Sequence, residues 1–152
     1  MHTLKPIPHD DLVFLVETWA PLFPDGFSHW VLDNSHVWDK YLEIVDEILS
    51  AGIRHYSSNT IFCVLRHHTA LAEVSQGDID VSETDVRPAL KLNSKHTPYM
   101  SRLFAFAYPE FAELFEYRKT YLERSEEGKE CIEEGVPFIV QGSDDEPSEV
   151  VQ

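Results

Sequence analysis

Residues 53–71, IRHYSSNTIFCVLRHHTAL, and residues 91–118, KLNSKHTPYMSRLFAFAYPEFAELFEYR, hold the apolar spacing that decides the fold. The first stretch reads as one helix: Ser57 or Ser58 offers a cap, and Ile61, Val64, Leu65, His68, Leu71 and Ala72 recur at three- and four-residue steps to near Glu73. The second reads as two helices joined at a proline. Thr97-Pro98 has the form of a helix start, a hydroxyl followed by proline in the first turn. Tyr99, Met100, Leu103, Phe104 and Ala107 continue that face. Pro109 lacks an amide donor but suits a first turn, so it closes one helix and opens the next. Phe111, Leu114, Phe115, Arg118 and Leu122 carry the following stripe. Seven aromatic rings between Tyr99 and Tyr117 mark a packing centre.

Working outward, Val37, Trp38, Tyr41, Leu42, Val45, Ile48 and Leu49 predict a helix of about fifteen residues, roughly 22 Å long. Asn34 or Ser35 caps it, Gly52 ends it, and Asp39, Lys40, Glu43, Asp46 and Glu47 fill much of its opposite face. Residues 53–56 make a short connection to the next helix. Upstream, Leu12, Leu15, Val16 and Trp19 predict a short helix with an acidic start and Pro21 as its stop. PLFPDGF (21–27) reads as a turn, and Trp19, Phe23, Phe27 and Trp30 as rings wrapped over the core. Residues 74–90 read as a surface loop, with room for a small β-hairpin between Ile79-Asp80-Val81 and Ala89–Asn93. After Glu123 the chain turns acidic: SEEGKECIEEG is weakly helical, PFIVQ is a short strand or docking segment, and the last eleven residues suit a disordered tail. The expected architecture is mainly α, four to five helices around one core. It divides into an aromatic arm (1–33), a helical core (34–122) and an acidic tail (123–152).

At 152 residues and 43% hydrophobic side chains the chain suits one domain with a real core. No apolar run is long enough to cross a membrane, and the N-terminus lacks the form of a secretory signal. Cys63 and Cys131 lie far apart; two free thiols in a reducing cytosol are the simplest reading, with Cys63 in the core. The net charge is −15, of which residues 122–152 contribute −8. Such a balance opposes binding to nucleic-acid phosphates or anionic membranes and favours attraction to basic partners.

Catalytic signatures are absent. There is no GxSxG elbow, no phosphate-binding glycine loop and no HExxH or CxxC, and no cofactor is expected. Cys63 and His67 share a helical face at i and i+4, so His55, Cys63, His67 and His96 define a distant metal-dependent alternative. Arg102 and Arg118 fall near apolar stripes, where a guanidinium needs carboxylate or carbonyl partners. The candidate binding residues are the remaining cations and imidazoles: Arg54, His55, Arg66, His67, Lys91, Lys95, His96 and Arg102. Convergence of the first seven would create a basic patch for a nucleic acid or a phosphate.

Tyr56-Ser57, Leu65-Arg66, Lys91-Leu92-Asn93, Arg102-Leu103-Phe104 and Pro109-Glu110 together resemble a group of small, largely uncharacterised bacterial and phage proteins. The likeness covers about residues 34–118 and implies a bacterial or phage origin, with no activity to transfer. The leading functional expectation is a non-enzymatic acidic protein that binds a basic protein surface, or a nucleic-acid-binding protein whose ligand it imitates, as an inhibitor. The alternative is a helix-turn-helix-like reader of DNA or RNA built from residues 53–108.

Overall fold

Amphipathic spacing becomes burial most directly along α3 (Ser35–Ser50), where Val37, Trp38, Tyr41, Ile44, Val45 and Ile48 all face inward. A computed structural model describes residues 4–75 and 94–141. Besides α3 it contains α1 (His9–Thr18), α2 (Asp25–Asp33), α4 (Ser58–Ser75), α5 (Thr97–Ala107) and α6 (Glu126–Glu134). A parallel pair of two-residue strands, β1 (Tyr117–Arg118) and β2 (Val140–Gln141), completes the mainly helical fold. No helix among the described residues is long and apolar enough to cross a membrane.

The hub is α5. Nine of its eleven residues are buried, Arg102 among them, so it is enclosed on every side rather than along one stripe. It packs against α1, α4, β1 and the 3₁₀ helix Pro109–Leu114. Its start differs from the sequence expectation: a 3₁₀ turn, Ser94–His96, runs straight into it, and the Thr97 side chain caps nothing. Caps do form elsewhere. Ser57 Oγ accepts the Thr60 amide at 3.2 Å, and Ser125 Oγ accepts the Gly128 amide at 3.0 Å. Asn34 instead donates its side-chain amide to Trp30 O.

Two other expectations need correcting. PLFPDGF is not a free turn: Pro24 precedes the first turn of α2, whose acidic Asp25 suits a helix start and whose Phe27 and Val31 are buried. The stripe from Phe111 to Leu122 is not one helix either. At Phe115 the backbone is extended (φ −111°, ψ 157°), and the side-chain period falls from three or four to two, Phe115 and Tyr117 both pointing inward. Tyr117 Oη donates to Ala112 O at 2.6 Å and fixes this reversal.

The aromatic arm is core, as its rings suggested. Trp19 stacks on Phe106 with centroids 4.4 Å apart, and Trp30 stacks on His96 at the same separation. The far end of the chain joins the same core. Phe138 is buried, stacked on Tyr117 at 4.6 Å, and Pro137–Val140 brings β2 alongside β1 in register Tyr117 to Val140. Residues 123–141 therefore pack on the body rather than hanging from it. The predicted 79–93 hairpin and the last eleven residues lie outside the described residues.

Cys63 is exposed, not core, because Ile61, Phe62 and Leu65 take the inward positions of α4. Cys131 is half-buried, and both cysteines are free thiols.

Candidate functional site

Burial of α5 leaves a charged residue at the centre of the fold. Arg102 is 1% exposed, and its Nε donates to Glu123 Oε2, itself on a residue 1% exposed. Nη2 donates to Glu123 Oε1 (3.0 Å) and to Arg118 O (2.6 Å), and Nη1 donates to Pro98 O (2.9 Å). Tyr117 and Phe138 lie about the guanidinium, their ring centroids 5.6 and 5.5 Å from Cζ. Glu123 also accepts the Thr120 amide at 3.0 Å. A buried pair needs such added bonds to offset its desolvation. Arg102 thus acts as an internal clamp on β1 and the chain after it.

Beside this clamp opens a cleft of about 780 Å³, lined by the 55–59 segment, Thr97, Pro98, Ser101, Arg102, Leu114, Glu116 and Arg118. His55 Nδ1–H donates to Glu113 O at 3.2 Å, which leaves Nε2 available. Tyr56 N donates to Leu114 O at 2.9 Å and ties the segment down. Ser58 Oγ lies 3.3 Å from Tyr41 Oη, whose pKa is raised above the usual phenol range by burial.

Of the sequence-predicted residues, only His55 and Arg102 line this cleft; Arg118, noted for its position near an apolar stripe, proves exposed and joins them. Arg54 is exposed on the preceding connection. Arg66 is half-buried and His67 exposed on α4, and Lys95 is exposed in the turn before α5. His96 is occupied by its stack on Trp30, and burial lowers its pKa from the usual imidazole value. Lys91 lies outside the described residues. Among the described residues, the basic side chains that meet at this cleft are His55, Arg102 and Arg118. His55, Cys63, His67 and His96 do not form a metal site: no such cluster of three or more ligands occurs among the described residues.

A second groove, about 550 Å³, runs along α3. Asp39, Glu43, Asp46 and Glu47 line it together with Leu4, Pro6, Leu42 and Tyr108. Positions i, i+4, i+7 and i+8 share one helical face, so the four carboxylates form a row. Asp46 Oδ1 accepts the Leu4 amide at 2.9 Å, and Lys40 Nζ lies 3.3 Å from Glu43 Oε1. Tyr108 Oη donates to Lys5 O and helps anchor the N-terminal segment on the groove's edge. Burial raises the Tyr108 pKa, and Glu110, Asp39 and Asp46 raise it further. This row was visible in the sequence as the polar face of a helix; what the sequence hid is the apolar wall beside it.

No family model, curated protein or solved structure matches the chain. Geometry and charge alone carry the functional reading.

Proposed function

We propose that the protein binds a basic protein surface through the carboxylate row on α3, presenting charge as a nucleic-acid strand does. Asp39 to Glu47 covers about 12 Å of helix. Four carboxylates over that length give one charge per about 4 Å, close to the roughly 3.4 Å per charge along one strand of duplex DNA. The row is the observation that carries the reading. Leu42 and Pro6 beside it give a partner's Lys or Arg stems an apolar surface to lie on. The net charge of −15 adds long-range attraction to any cationic face.

Burial weighs against the helix-turn-helix alternative. A reading helix must expose side chains to a groove, whereas α5 within residues 53–108 is almost wholly enclosed.

The test uses a Lys/Arg-rich peptide as probe and follows affinity against salt. Asp39→Asn, Glu43→Gln and Glu47→Gln together are expected to weaken binding about tenfold and flatten the salt slope. Neutralising Glu130, Glu133 and Glu134 on α6 is the control and should cost much less. If the two sets have equal effects, net charge rather than the α3 row governs binding, and the proposal fails.

A further inference from the structure

We infer that the cleft between the starts of α4 and α5 holds the phosphate of a small hydroxyl-bearing phosphomonoester, such as a sugar phosphate. The phosphate end is defined by the start of α4, an eighteen-residue helix. Thr60 N is satisfied by Ser57 Oγ and Ile61 N by Ser57 O, while the Ser58 and Asn59 amides have no partner among the described residues. Unpaired amides at a helix N-terminus attract anions.

A second observation points to the same place. Thr97 lines the cleft and is only 5% exposed, yet its Oγ1 is buried without any hydrogen-bond partner among the described residues. Buried hydroxyls are ordinarily satisfied, so an orphan one at a cleft wall calls for a ligand. Arg102 adds to this: a guanidinium has five N–H donors, and four are engaged, leaving one on Nη1. Arg118 supplies an exposed cation at the rim, and His55 presents Nε2.

The ester portion follows from the rest of the lining. About 780 Å³ is more than a bare phosphate needs and falls within the range of small-molecule sites. Tyr56, Pro98 and Leu114 give apolar wall. Glu116 would repel a free anion but accepts hydrogen bonds from hydroxyls, as Asn59 and Ser101 also do.

Amide-resolved NMR titration of the full chain with ribose phosphate tests this, with inorganic phosphate and ribose as separate arms. Saturable shifts at Ser58 and Asn59 are expected with ribose phosphate, about tenfold weaker binding with phosphate and none with ribose. Arg118→Gln, an exposed substitution, should weaken binding about tenfold by removing a charge-assisted contact. Thr97→Val should weaken it while leaving thermal stability unchanged or higher, which a purely structural threonine would not do. The α3 neutralisations should leave it unmoved, which separates this site from the proposed function. Equal affinity for inorganic phosphate would overturn the ester assignment. Absence of saturable shifts, or an unaffected Arg118→Gln, would overturn the site.

Discussion

Arg102–Glu123 and Lys40–Glu43 are the same kind of contact in opposite surroundings. The first pair is 1% and 0% exposed along its side chains, the second 41% and 66%. Inside, Glu123 is useful because it joins Arg102, the Thr120 amide and, through the guanidinium, two backbone carbonyls from separate segments. Outside, Glu43 keeps its hydration, and Lys40 holds it loosely. The protein thus uses Glu123 as an internal tie, while Asp39, Glu43 and Glu47 of the α3 row stay exposed. Asp46 is the exception within the row, since it accepts the Leu4 amide and ties the N-terminal segment to α3.

The largest effect should come from breaking the inner tie. Arg102→Met leaves Glu123 buried and uncompensated, and urea unfolding should show a loss of about 3–5 kcal/mol. Adding Glu123→Leu removes the stranded charge and should restore part of that loss. It will not restore all of it, because Arg118 O and the Thr120 amide lose the bonds that Arg102 and Glu123 made, although Pro98 O keeps the Ser101 hydroxyl. A loss for Arg102→Met no larger than for an exposed charge would break the comparison.

A smaller effect sharpens where the tie acts. An added Cβ at Gly128 would lie 1.9 Å from Leu122 O and 2.9 Å from Glu123 Cα, both backbone atoms. In an unconstrained helix, alanine for glycine stabilises by up to about 1 kcal/mol. Here the sign should reverse, with Gly128→Ala costing about 1–3 kcal/mol in thermal or urea unfolding, since α6 must move off the turn that carries Glu123. A gain in stability would mean that α6 is not held against that turn.

The helices with one-sided apolar spacing were legible in the sequence, because burial on one face writes the period directly. Val37 to Ile48 and the short helix after Pro8 are such cases. The stretch after Pro109 was not, since Phe111, Leu114 and Phe115 fit a helical period while Tyr117 and Phe138, twenty-one residues apart, supply the pairing that draws the chain out straight. The expected partner for a near-buried arginine was legible as a chemical need, and Glu123 meets it; its distance along the chain was not. The candidate cleft was least visible. Of the eight proposed binding residues it gathers His55 and Arg102, while Ser57, Ser58 and Thr97 looked like ordinary helix starts. Only the unmet hydrogen bond at Thr97 distinguishes that threonine from a cap.

The smallest stability effect carries the most information about the outer region. Lys40 sits among the α3 carboxylates, and its contact with Glu43 is exposed. Lys40→Gln should therefore change unfolding stability by no more than about 0.5 kcal/mol. The same substitution removes the cation that partly screens the row, so affinity for a Lys/Arg-rich peptide should rise about threefold at low salt and less at high salt. Stability and binding would then move independently, as they must if this charge serves contact rather than folding. A stability loss comparable to that of Arg102→Met, or unchanged peptide affinity, would place Lys40–Glu43 with the structural pairs and leave the α3 row without its proposed role.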